Sequence, residues 1–524
     1  MVNIAADVGA TSAGGRSSGG NVSESTSVPA AQDWFNYGLA LSHAFYHEDA
    51  KGAMKRSVEA DPNCSMCAWG EAWALGPTLN YGIDEKQREA ALAAAKRAQS
   101  LAKPGDAKAR RLADAIVARY APSAAVGGKL NNLGAARAGE SATEPAFGAE
   151  MAKIAADYPA EVELSVLAVH SQLMPVRGDD MRGLKPALAT LEKVLKDHPN
   201  DTGAIHYYIH ATEFDDRAED ALKYAEELGR LAPMASHLVH MPAHTFFHAG
   251  RYQDAAVVNA QAIGADTGWM KAGGNPTAPN AKPQALPMYY AHNLAFGLAG
   301  ALMSGDAQLA LKYAEHAELV YRDPVPVGSR AYPVPRTWVA LARFAPDKAL
   351  AVPEMTGDPR FHIYRAYSRG EAFLQKGDVA GARAEVKALS KVKGAGGAPE
   401  LTIARSVLEG RIAMAEGNPK KAARLFDNAA RVQEARLSDY WDPPSWWYPV
   451  RRSVAAAYLK AGDFANAEAE ADKSLKMWKH DPLALWVKGR AQAGLGRIAE
   501  GEATASKARK IWRGNFDSIT ADAI

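Results

Sequence analysis

Apolar side chains return at helical spacing through most of this chain, and the helical stretches themselves recur at a fixed interval. Ala187, Ala221 and Ala255 stand 34 residues apart, each within an amphipathic stretch. Pro199 and Pro233 share that offset and fall where helices should stop. Gly462 and Gly496, Met477 and Ile511, and Trp478 and Trp512 repeat it near the end of the sequence. Gly305-Asp306 with Ala310, Gly377-Asp378 with Ala382 and Gly417-Asn418 with Ala422 have the same look, as do Trp34, Gly38, Ala50 and Pro62 at the front. Each such unit leaves an apolar face that only its neighbours can bury, so the pattern predicts an all-α stack of helix pairs.

These positions resemble the tetratricopeptide repeat (TPR), with small residues where two antiparallel helices pack and Pro at the end of the second. The resemblance covers nearly the whole chain and implies a right-handed superhelix with a concave groove. Three stretches interrupt the register: the Gly/Ala/Ser-rich 121–146, a long loop at 264–287, and the Pro-rich 323–359. The expected organisation is a disordered leader over 1–30, an N-terminal solenoid over 31–322, a Pro-rich connector over 323–360 and C-terminal repeats over 361–524. The 264–287 loop follows the histidine-bearing repeats and is the candidate lid.

Six of the fourteen histidines lie between Ile205 and Gly250. They form two segments in register, His206-Tyr-Tyr-Ile-His210-Ala-Thr-Glu213 and His237-Leu-Val-His240-Met-Pro-Ala-His244-Thr-Phe-Phe-His248. His206 and His240, like His210 and His244, are separated by one repeat of 34 residues. With helices starting near Thr202 and Ser236, offsets of three and four residues keep the imidazoles on one face. A helix starting near Ala291 adds His292. Two imidazoles at i and i+4 can reach one metal from one helix, and helices packed roughly 8–10 Å apart let a second pair close around the same ion. His206, His210, His240 and His244 are therefore the expected ligands of a transition metal (Fe, Cu, Zn or Mn), with Glu213 as a further ligand or a general base. His237 and His292 are expected to support those ligands or to hold a second ion. The same imidazoles could instead line a groove for an organic anion or peptide, or two of them could bind a haem axially.

His170, His198, His316, His362 and His480 read as packing or surface residues, and so do His43 and His47, with the alternative that the first repeat curls this pair towards the groove. Cys64 and Cys67 form a lone C-x-x-C at a helix start, either a passive pair or a disulfide or redox pair. Trp441, Trp446, Trp447 and Tyr448 bracket Pro443-Pro444, which forbids an uninterrupted helix. They read as a hydrophobic cap, or as a platform for a flat ligand. Hydrophobic residues at 48%, charged residues at 23% and a net charge of +2 without a basic run predict no nucleic-acid footprint. No apolar run is long enough to span a membrane.

The blocks Asp61 to Pro77, His206 to Glu213, His237 to His244, Tyr290-Ala-His-Asn293 and Tyr440 to Arg451 look like a bacterial, often exported branch of TPR proteins. Asp442 departs from that branch, where Glu precedes the Pro pair, and this puts a role for its carboxylate in doubt. The resemblance implies that these blocks form one site and implies no reaction. An exported protein whose signal has been removed and a cytoplasmic protein both fit. The expected function is metal-dependent chemistry, as an oxygenase or other oxidoreductase or as a hydrolase, on a small molecule in the groove. The alternatives are a non-catalytic TPR scaffold for a protein or ligand partner, and a haem protein.

Overall fold

The computed structural model describes all residues except 1–21, 23–25, 81, 122–142, 177–180, 272–288, 323–324, 438–442 and 444–445. Most of the leader, most of the 121–146 stretch, Trp441 and Asp442 therefore lie outside the described residues. So does the candidate lid beyond Lys271, since 264–271 form the last turns of the helix Tyr252–Lys271. Among the described residues there is no strand, and the fold is a TPR-like helical repeat. The chain divides into two compact units, Met1–Pro242 and Ala243–Ile524.

In the first unit each helix packs on its successor, and some pack also on the helix after that. Pro29–His43 lies against His47–Ala60 and Ser65–Leu75, and Ser65–Leu75 against Glu85–Leu101 and Ala107–Tyr120. Val162–Leu173 packs on Glu144–Asp157, Leu184–Asp197 and Thr202–Phe214 in the same way. That nearest-neighbour order defines a solenoid. One contact breaks it, because Pro29–His43 also touches Thr202–Phe214. Cys64 caps the helix Ser65–Leu75 by accepting from the Cys67 amide at 2.9 Å, and the two cysteines are joined as a disulfide in the core.

The second unit repeats the scheme from Tyr290–Ser304 to Ile498–Ile511. The Gly-Asp and Gly-Asn pairs act as stop and start signals. Gly305 ends its helix at φ +74°, a left-handed conformation that costs glycine little, and Asp306 then accepts from the Leu309 amide at 2.9 Å to open the next helix. Gly417 and Asn418 do the same. The Pro-rich 323–360 stretch carries the helices Val327–Arg330, Pro333–Phe344 and Pro346–Leu350. Trp446, Trp447 and Tyr448 are buried, and the Trp447 indole donates to the Tyr367 hydroxyl at 3.2 Å. They pack as a cap.

Candidate metal centre

The helix Thr202–Phe214 begins where Asp201 accepts from the Ala204 amide at 2.9 Å, which fixes the phase of His206, His210 and Glu213. His206 and His210, one turn apart, bring their rings to 5.1 Å between centroids. The second segment departs from the expected single helix. Pro242 has no amide hydrogen to donate, and the chain forms Ser236–His240 and then Pro242–His248 as separate elements. His237 and His240 ride on the first, with rings 5.7 Å apart.

His206, His210 and His237 come together in the first unit. One nitrogen from each lies within 4.8 Å of the other two, a spread that one metal ion can bridge. His206 and His237 are buried and His210 is partly accessible. Glu213, also buried, sits 3.7 Å from His210 Nδ1, too long for a hydrogen bond. His240 follows His237 on the same short helix. His244 and His292 belong to the second unit, where their rings are 6.1 Å apart and both lie against Phe296.

Residues from the first helix hold the trio. The His206 Nδ1 donates to the His43 carbonyl at 2.6 Å. A carbonyl only accepts, so the neutral ring carries its proton on Nδ1 and its lone pair on Nε2. The approach depends on Gly203, because a Cβ there would meet His43 Cγ at 3.1 Å. The His43 ring is held in turn by Glu163, at 2.5 Å from Nε2, and by the Tyr207 hydroxyl, at 2.9 Å from Nδ1. Burial opposes a charge on His43, but the Glu163 carboxylate, through its charge and hydrogen bond, and the more distant Asp201 raise its pKa above the ordinary value.

Two residues on, Phe45 is fully buried at φ +61°, a left-handed conformation rare for a bulky residue. Its ring packs 4.3 Å from His206, 5.2 Å from His237 and 6.1 Å from His210. Backbone strain of this kind persists only where the surroundings over-determine it. His47, 5.3 Å from Phe45, is driven down to about 3, by burial first and Lys51 second. His170 packs between Trp73 and Tyr207 as a buried core residue, and its pKa falls well below normal, through burial and then Arg119, His43 and His47. Phe45 and Glu163 carry no sequence signal for this site. Their roles arise from contacts 120 or more residues away.

No protein-family model and no curated protein matches the chain. Solved structures similar to it include the human IFIT1 dimer with m7Gppp-AAAA, at 13% identity over 85% of this chain and 90% of that one, with a TM-score of 0.33. Naa15/Naa10 bound to HypK-THB is 12% identical over 94% of this chain and 92% of that one, at a TM-score of 0.24. The TPR domain of P58(IPK) is 13% identical over 89% of this chain and 98% of that one, at 0.23. At these scores the likeness carries no argument about function. The described chain thus stands as a TPR-like helical repeat with histidine groups able to hold a metal, and no described helix is long and apolar enough to cross a membrane.

Proposed function

We propose that this protein binds a transition metal through His206, His210 and His237 and uses it for hydrolytic or oxidative chemistry on a small molecule. The observation that carries the reading is the three imidazole nitrogens within 4.8 Å of one another, on two separate helices. The His43 carbonyl supports it by fixing the tautomer of His206, as the outer partners of metal-bound histidines do. Imidazole donors suit Zn, Cu or Fe better than Mg or Ca. Three protein ligands leave a coordination position for water or substrate, which is characteristic of catalytic rather than purely structural sites. A metal there would polarise a bound oxygen and lower the pKa of bound water. Glu213 would take the proton of that water or become a fourth ligand. His240 would steady His237, and His244 with His292 would offer a further pair of donors.

Metal analysis tests the reading. The full-length protein, as purified and after reconstitution with Zn, Cu, Fe or Mn, should retain about one equivalent of one metal. Retention below about a tenth of an equivalent of every metal sinks the proposal and leaves the scaffold reading, which the helical-repeat fold by itself supports. A haem would be seen at once as a Soret band.

A further inference from the structure

A second site of different chemistry lies within the second unit, beginning at the turn that follows His248. A cavity of about 510 Å³ opens between the turn Ala249–Arg251, the start of the helix Tyr252–Lys271, the loop at Lys479 and His480, and the end of the helix Ile498–Ile511. That volume is within the range of small-molecule sites. Its walls carry Arg251, Lys479, His480, Lys507, Lys510 and Arg513, against a single carboxylate, Asp254. Asp254 is already engaged by Arg251, Nε to Oδ2 at 2.6 Å. No carboxylate pairs with Lys507, Lys510 or Arg513 among the described residues, although salt bridges are plentiful elsewhere in this unit. A chain with a net charge of +2 has here gathered five permanent cations around one hollow.

The hollow has a built frame. Gly250 adopts φ +72°, and a Cβ at that position would lie 2.3 Å from His480 Cβ, so the glycine lets the 479–480 loop seat directly against the turn. The Arg513 amide donates to the Ser304 carbonyl at 2.7 Å, which fixes the backbone below its guanidinium. The first turn of the twenty-residue helix Tyr252–Lys271 also borders the cavity, and its amides and dipole favour an anion there.

We propose that this cleft binds a small, multiply phosphorylated anion, with Lys507, Lys510 and Arg513 as its main partners. Clustered ammonium groups and a guanidinium fork match several phosphoryl oxygens at once, whereas a single carboxylate would leave most of the charge unmet. The site needs no metal and does not depend on the metal reading.

The test is calorimetric titration of tripolyphosphate into the full-length His206→Ala/His210→Ala protein, a background in which binding cannot report on a metal held by those residues. Binding with a dissociation constant below 1 mM in roughly 50 mM salt is expected, weakening as salt rises. Lys507→Glu, Lys510→Glu and Arg513→Glu should each weaken it about tenfold, an effect of the size expected for reversing one near-surface charge. Lys420→Glu, an exposed residue elsewhere in the unit, changes the net charge equally and should leave binding within about twofold. Absence of binding at 1 mM overturns the proposal, and so does an equal loss in Lys420→Glu. Citrate binding as tightly as tripolyphosphate overturns the phosphate assignment. A nucleoside triphosphate binding more tightly than tripolyphosphate supports a nucleotide as the source of the phosphates, and equal binding supports an inorganic polyphosphate.

Discussion

Two regions of this molecule use the same helical-repeat scaffold to bury polar side chains, and they do it in opposite ways. Around the helix Arg451–Lys460 three buried arginines are each paired with an acid. Arg452 meets Asp481 at 3.1 Å, Arg411 meets Glu371 at 3.3 Å, and Arg451 is held by Asp427, Glu434 and Glu470. Around the helix Thr202–Phe214 the polar groups of the trio are imidazoles packed against one another and against Phe45. An ion pair completes itself. A set of imidazoles with one nitrogen each within 4.8 Å of the others gains most when something electron-poor is added. The difference teaches that a repeat fixes where side chains go, and the side-chain chemistry decides whether a site is closed or open.

The largest effect should come from removing the donors. In the His206→Ala/His210→Ala protein, metal retention should disappear, from about one equivalent to below a tenth by metal analysis. Helical content should change little, because solenoid stability resides in the apolar faces. If the double variant keeps its metal, the contrast between the two regions collapses. The reciprocal change on the other side is Asp481→Ala. It strands the Arg452 guanidinium in a buried site and should cost about 3–5 kcal/mol in denaturant unfolding, with metal content untouched. A loss under about 1 kcal/mol would show that the ion pairs do not form a closed system.

Acid sharpens the comparison. His47 and His170 are neutral when buried, with pKa values below the unfolded value of 6.5. The unfolded chain therefore binds more protons below pH 6.5, and stability falls as pH falls. At pH 5 His47, with a folded pKa of about 3, contributes about 2 kcal/mol of loss, at roughly 1.4 kcal/mol per pH unit, and His170 acts in the same direction. His43 runs the other way. Its raised pKa makes its contribution complete by pH 6.5, so it adds nothing across this window. Hydrogen exchange on metal-free protein should show the amides of His47–Ala60 and Val162–Leu173 losing protection between pH 6.5 and 5, after correction for intrinsic rates. Those of Pro399–Ala415, with no histidine, should hold. Equal loss in both places would contradict the buried neutral state of His47 and His170.

Local signals in the sequence carried far, and they stopped where long-range contacts begin. The helix starts at Thr202 and Ser236 are where the spacing predicts them, and the repeat glycines at 305, 377, 417 and 462 all adopt left-handed backbone. These follow from i, i+4 geometry and capping chemistry. The spacing predicts one helix from Ser236 through His248, and Pro242, which lacks an amide hydrogen, splits it in two. Grouping His237 with His206 and His210 depends on packing between helices, which the 34-residue register alone does not give. The parts played by Phe45, Glu163 and the His43 carbonyl could not be read at all. They depend on a left-handed residue after the first helix and on contacts spanning 120 to 164 residues. A periodic sequence specifies its repeats locally, and what joins the first helix to Thr202–Phe214 is the curvature accumulated between them.

The smallest effect addresses that join. Glu163 holds the His43 ring, and the His43 carbonyl holds His206. If the carboxylate matters for position, Glu163→Gln should keep the arrangement. The Gln amide oxygen can accept from His43 Nε2, and the Tyr207 hydroxyl can then donate to Nδ1 of a neutral ring. The carboxylate and the imidazolium charge vanish together, so metal affinity should stay within about threefold of the parent. Glu163→Ala removes the partner and lets the ring and its carbonyl shift, and affinity should fall about 10–100-fold, the usual consequence of losing an outer partner of a metal ligand. Competition against a chelator of known affinity reads both variants, with stoichiometry staying near one in each. Equal losses in the two would mean that the charge of Glu163, rather than its hold on His43, supports the site. No loss in either would mean that the first helix does not position His206, and that the resemblance between this join and the outer partners of known metal centres is only geometric.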